Sequence, residues 1–199
     1  MENFFDAYMN VTMNLKQRLG AEKKSQTIIV ASALNGEGRS TCVKNLGIAL
    51  ANLNFKVVIA DCDFRKPAQG KFFEKSSAEG IANCIEQDGN ISDFVQNTQT
   101  ENLSFVSGGA SGKSPAEILS NKKMSGIFNA LKEKFDLILI DTPPLLNFPD
   151  TLILNDYADG IILVVEANST ELKAIREVKT RLEQVNGNIL GVILNKVAD

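Results

Sequence analysis

The sequence predicts a doubly wound α/β domain with a mostly parallel sheet. Three observations carry that prediction. Six apolar runs, at 27–32, 56–61, 103–107, 136–141, 160–166 and 189–195, are short and nearly continuous rather than alternating, the pattern of strands buried on both faces. Segments that read as helices separate them, at 40–53, 78–86, 91–97, 115–133, 149–156 and 170–185, and alternating βα units with right-handed crossovers close into such a sheet. The first run also stops abruptly at a small-residue loop, Ala33-Leu34-Asn35-Gly36-Glu37-Gly38-Arg39-Ser40-Thr41, which feeds directly into a helix.

The bounds agree with one domain over residues 1–199. A chain of 199 residues, 44% hydrophobic and 23% charged, is large enough for a single buried core and has the composition of an ordinary globular protein. Its net charge of −3 provides no basic field for nucleic acid. Cys42, Cys62 and Cys84 are odd in number and scattered, which predicts reduced thiols and a cytoplasmic protein. There is no histidine, which excludes Ser-His-Asp and Cys-His catalysis and leaves acid–base work to carboxylates and lysines. No apolar run approaches the roughly 20 residues that span a bilayer, and the acidic start Met1-Glu2-Asn3-Phe4-Phe5-Asp6 is unlike a signal peptide.

Before the first strand, Phe4, Tyr8, Val11, Leu15 and Leu19 recur at helical spacing. They predict an amphipathic helix over 3–19 that packs on the protein's own sheet and closes at Gly20 and the polar 22–25 stretch. The loop that follows the first strand is an anion cradle by construction. The orphan N–H groups of the first helical turn and the helix dipole favour negative charge there. Gly36 and Gly38 allow the backbone to wrap an anion closely. The pattern matches a phosphate-binding loop except that Arg39 stands where the lysine belongs.

Three more strand ends carry matching chemistry. Residues 57–61 end in Asp61-Cys62-Asp63-Phe64-Arg65-Lys66-Pro67, residues 137–141 in Asp141-Thr142-Pro143-Pro144, and residues 191–195 in Asn195-Lys196. Ligands of doubly wound sheets sit beyond these carboxyl ends. Magnesium takes oxygen ligands, few of them carboxylates, and phosphoryl transfer needs cationic clamps and a carboxylate to orient the nucleophile. Ser40 and Asp141, with Asp61, are therefore the candidate Mg²⁺ shell. Asp61, Asp63 and Arg39 are the candidate catalytic groups, and Thr41 offers a second hydroxyl. Each piece alone is weak, since strand-end aspartates are often helix caps. Their order along one chain points to an ATP or ADP site.

In these motifs the chain resembles the bacterial tyrosine kinases of capsule and exopolysaccharide synthesis. That family has a phosphate loop, an additional apolar–Asp-x-Asp-x-Arg motif and a strand ending in Asp-Thr-Pro-Pro. Residues Asp61 to Pro67 and Asp141 to Pro144 fit the last two, and Ser107-Gly108 through Ser114-Pro115-Ala116-Glu117-Ile118-Leu119 and Gly191 to Asn195 resemble two further family segments. The resemblance implies the three-layer architecture of P-loop NTPases of the MinD/ParA type. It implies phosphates cradled by the backbone from Asn35 through Gly36, Glu37, Gly38 and Arg39 to Ser40 and Thr41, adenine contacted by Asn195, and a tyrosine hydroxyl deprotonated by Asp61 or Asp63. It also implies a membrane-spanning chain-length regulator as partner.

Three departures shape the functional expectation. Arg39 replaces a lysine whose compact charge belongs between two phosphates, and a planar guanidinium misplaces that charge, so turnover is expected to be slow or absent. The family's N-terminal Glu-x-x-Arg-x-x-Arg motif aligns with Asp6, Met9 and Thr12, so its ring of subunits is expected to be lost. Tyr8 and Tyr157 are the only tyrosines among these residues, so either the family's C-terminal tyrosine tail has been removed or there is nothing here to autophosphorylate. The expectation is a nucleotide-binding protein with weakened catalysis; the alternatives are an active tyrosine autokinase or ATPase and, less well supported, a ParA/MinD-type switch, whose signature lysine is Leu34 here.

Overall fold

Successive residues of the central strands belong to opposite cores, and this organises the whole domain. In the computed structural model, which describes residues 2–19 and 25–197, strand β1 (Gln26–Ser32) sends Ile28 and Val30 to one face and Ile29 and Ala31 to the other. Strands β2 (Val57–Asp61) and β5 (Leu137–Asp141) do the same, with Val57, Ile59, Leu137 and Leu139 on the first face and Val58, Ala60, Ile138 and Ile140 on the second. Every residue of β2 and β5 is buried, which explains why the sequence shows continuous apolar runs.

Seven strands form the sheet in the order β3-β4-β2-β5-β1-β6-β7. The flanking strands are β4 (Leu103–Val106), β6 (Gly160–Glu166) and β7 (Ile189–Asn195). All pairings are parallel except that of β3 (Gln96–Asn97) with β4. Helices α1 (Glu2–Leu19) and α2 (Arg39–Asn52) cover the first face. The second is covered by α4 (Ile81–Gln87), α6 (Lys123–Lys132), α7 (Asp150–Leu154) and α8 (Leu172–Gln184). The doubly wound, mostly parallel fold predicted from the sequence is the one observed.

The differences are local and have local causes. The helix expected over 91–97 is a single 3₁₀ turn, Ile91–Phe94, begun by the Asn90 side chain accepting from Ser92 N; the chain then adds the antiparallel edge β3. The helix expected over 115–133 is two. Helix α5 (Pro115–Leu119) opens on a capping box in which Ser114 Oγ accepts from Glu117 N and Glu117 Oε2 accepts from Ser114 N. After it, the Asn121 side chain accepts from Lys123 N and restarts the chain as α6, the local competition that short polar side chains offer. The 78–86 helix starts only at Ile81, after Gly80, whose N–H donates to Asn83 Oδ1. A short helix α3 (Gln69–Phe72) was not foreseen at all.

Helix α1 packs on α2, with Tyr8 and Leu15 buried and Tyr8 Oη donating to Cys42 Sγ at 3.4 Å. Thr12 is fully buried and donates to Met9 O, and Met9 packs on the same core. Two of the three ring-motif positions therefore serve the domain's own interior. The side chains of Phe4, Asp6 and Leu19, and the closing stretch 20–24, lie outside the described residues.

Phe105 is fully buried with its ring centroid 6.2 Å from that of Phe73. Phe105→Ala is expected to cost about 3–5 kcal/mol, read as a lower urea midpoint with an unchanged slope.

Candidate functional site

Strands β2, β5 and β1 lie side by side at the centre of the sheet, and their carboxyl ends assemble the site. In register, Asp61 stands opposite Asp141, and Asp141 opposite Val30. The chain leaves β1 at Ser32, turns through Gly36 (φ 88°) and Gly38 (φ 85°), and enters α2 at Arg39. Both glycines hold left-handed backbone, which a side chain would strain. A Cβ on Gly38 would also lie 2.1 Å from Asn195 Nδ2. No side chain caps the amino end of α2, a helix of 14 residues, so its first-turn N–H groups face the loop as the cradle the sequence predicts.

The loop is pinned from the β6–β7 side. Asn195 Nδ2 donates to Glu37 O at 2.9 Å, and Lys196 Nζ donates to Gly36 O at 2.7 Å and pairs with Glu166 at 3.0 Å. Lys196 itself takes positive φ, 54°, uncommon for a residue with a Cβ. Glu37, only 3% exposed, turns its carboxylate into the loop's own frame, where it accepts from Leu34 N at 2.7 Å and from the Thr170 hydroxyl. Asn35, Gly36 and Thr41 are exposed.

On the other side the loop is closed by Arg39. Its side chain is 9% exposed and donates from Nε to Asp141 at 2.8 Å, from Nη1 to Ser32 Oγ at 3.1 Å and from Nη2 to Asp63 at 3.1 Å. Asp141 is fully buried and its other oxygen accepts from Gln69 Nε2 at 2.7 Å; the same amide group donates to Ser40 O at 2.9 Å. Asp63 also accepts from the N–H groups of Arg65 and Lys66.

The sequence reading placed Asp61 in the metal shell. Its oxygens instead organise the loop that follows β2, accepting from Asp63 N at 3.3 Å, Ala68 N at 3.0 Å and Gln69 N at 2.9 Å. The last two are what start α3. Burial first, and then the charge of Asp141, push the Asp61 carboxyl up to about 7, against the three N–H donors that favour its ionised form.

Arg65 is likewise redirected. It pairs with the fully buried Asp150 and stacks over Phe148 at 4.1 Å, so its charge is committed away from the cradle. The donor set therefore fits an anion at the start of α2. It fits a divalent cation at Asp141 poorly, since the Arg39 guanidinium already lies against that carboxylate and pairs it with Asp63. Among the described residues, no group of three or more acidic or cysteine side chains converges as a metal cage. Gln69, Ser32, Thr170 and Lys196 were not singled out from the sequence; only the position of Ser32 and Lys196 at strand ends could have flagged them.

A family model described as an AAA domain matches residues 25–193, from the first strand through the last. The tyrosine-protein kinase CpsD of Streptococcus agalactiae serotype III is 31% identical over 193 residues, covering 96% of this chain and 82% of the relative. The chain belongs to the bacterial tyrosine-kinase family of P-loop domains. The putative tyrosine-protein kinase CapB of Staphylococcus aureus is 29% identical over 177 residues, 89% of this chain and 78% of that one. Among solved structures, the VpsO kinase domain superposes with a TM-score of 0.86 at 33% identity, covering 96% of this chain and 94% of that one. MinD of Pyrococcus horikoshii, solved with Mg-ADP, gives 0.72 at 25% identity over 85% of this chain and 70% of that one. Membership of the P-loop family implies nucleotide binding, and no described helix is long and apolar enough to cross a membrane.

Two predictions follow from the buried charges. Arg39→Ala leaves Asp63 and Asp141 without their cation and is expected to cost about 3–5 kcal/mol in chemical denaturation. For Asp61, a folded-state value above the ordinary 3.8 means that the folded protein holds the extra proton. Its stabilising contribution is complete below about 4 and is lost as the pH rises through about 7. Urea midpoints are thus expected to fall between about pH 4 and 7, with a shallower fall in Asp61→Asn.

Proposed function

We propose that this protein binds ATP or ADP at the Gly36–Thr41 cradle and works in capsule or exopolysaccharide assembly, with protein-tyrosine phosphorylation that is slow or lost. The observation that carries this reading is the position of Arg39. In a family where a lysine at this position is compact and mobile, Arg39 is planar and held at three points by Ser32, Asp63 and Asp141. Phosphoryl transfer depends almost wholly on positioned charge. A cation held among carboxylates is out of place for stabilising charge on a transferring phosphoryl group.

The candidate bases are also engaged. Asp61 is fully buried under three backbone donors, and Asp63 accepts from Arg39 and two backbone N–H groups. The backbone cradle, by contrast, is made of main-chain N–H groups, which the substitution leaves in place. Binding by amides and helix dipole is therefore expected to outlast catalysis. Asn195 hydrogen-bonds the loop at Glu37 O, so an adenine contact by Asn195 would be made by a group that already holds the phosphate loop in place.

The names of the relatives, CapB and CpsD, and the chimeric CapA2B2 structure, with a TM-score of 0.89, support a place beside a membrane chain-length regulator in the cytoplasm. With Met9 and Thr12 turned inward, the ring contacts of the family are not expected from this chain alone.

The test is transfer of phosphate from ATP to a tyrosine-rich peptide, beside calorimetric titration with ADP. Binding with background phosphorylation is expected, and Arg39→Lys is expected to raise turnover by at least about tenfold. Wild-type phosphorylation that Arg39→Lys does not improve would overturn the catalytic part of the proposal. A flat titration would overturn the binding part.

A further inference from the structure

Arg39 lies against the carboxylate that ends β5. We propose that the cradle binds its nucleoside diphosphate without a divalent cation, the Arg39 guanidinium supplying the positive charge beside Asp141. This rests on the nucleotide-binding reading above and sharpens it.

The inference starts from the occupancy of Asp141. One of its oxygens accepts from Arg39 Nε at 2.8 Å and the other from Gln69 Nε2 at 2.7 Å. The residue is fully buried, so these donors satisfy it where water cannot. A magnesium ion binding there would need an oxygen in close octahedral contact. It would crowd a buried charge-assisted hydrogen bond and stand beside a guanidinium that already shares Asp63 and Asp141. Removing one partner from a buried ion pair is strongly unfavourable.

The same guanidinium is equipped to do part of the metal's work. A guanidinium has five N–H donors in a fixed plane. Three are committed, to Asp141, Ser32 and Asp63, and two remain, one on each terminal nitrogen. Arg39 is also the first residue of α2, after Gly38, so those donors start from the residue whose backbone opens the cradle. Planar, bidentate recognition of phosphate is what arginine does better than lysine. A lysine ammonium is a compact charge without that fork and cannot span the same three acceptors in one plane.

Gln69 locks the arrangement. Its amide bridges Ser40 O and Asp141 Oδ2, and its own backbone N–H is held by Asp61. Displacing Gln69 to admit a metal would therefore loosen the 61–69 loop as well.

The deciding experiment is calorimetric titration of the full chain with ADP in excess Mg²⁺ and, separately, in EDTA. The affinities are expected to agree within about threefold. Arg39→Lys is expected to bind at least about tenfold more tightly with Mg²⁺ than with EDTA. Wild-type binding that appears only with Mg²⁺ would overturn the metal-free proposal and leave nucleotide binding standing. No binding in either condition would overturn both. If Arg39→Lys does not fold, the wild-type comparison alone decides.

Discussion

A single buried cation shared by two buried carboxylates sets the geometry of this site. Asp63 and Asp141 are 5% and 0% exposed, and burying polar groups so deeply is costly unless they are paired. Arg39 reaches both because the sheet order places the ends of β2 and β5 next to the loop after β1. The order of the strands is thus a condition of the chemistry and not only of the packing. Once Arg39 balances those two charges, Asp61 is the one of these three strand-end aspartates that no cation pairs. Its raised titration and its three amide donors are the consequence.

The phosphate loop is held between that cation and a second set of contacts. On the β2–β5 side, Arg39 and Gln69 tie the start of α2 to Asp141. On the β6–β7 side, Asn195, Lys196 and Thr170 tie the carbonyls of Gly36 and Glu37 and the Glu37 carboxylate. Glu37 is the least expected member, an acidic residue inside an anion-binding loop. It is tolerated because its carboxylate points into the loop's supports, where it caps Leu34 N, and leaves the amide dipoles of the helix start uncompensated. A cradle so constrained from both sides loses little conformational entropy when an anion enters.

The sheet was legible in the sequence because burial on both faces leaves a continuous apolar signature, and β6 and β7 have the bounds it predicted. The helices were less legible wherever a short polar side chain took over the backbone, as Asn90 and Asn121 do; periodicity does not register that competition. The residues of the site were legible as a set because each ends a strand. Their employment was not. For Asp61, spacing gives the position along the chain but not the three backbone N–H groups that its oxygens accept from. Gln69 carried no signal at all, since its role follows from α3, a short helix whose start Asp61 holds by accepting from Ala68 N and Gln69 N.

The persistence of the acidic triad beside an altered phosphate-loop residue has a physical reading. From the sequence, three intact carboxylates argue that metal chemistry has been kept. In the fold, Asp63 and Asp141 would be untenable without Arg39, and Arg39, buried among Ser32, Asp63 and Asp141, would be untenable without them. Asp61 is equally tied to the backbone of residues 63–69. Each acidic residue has a structural reason to remain that is independent of catalysis. Retention of such residues is therefore weak testimony for a working phosphotransferase, whereas the direction in which the one substituted side chain points bears directly on it.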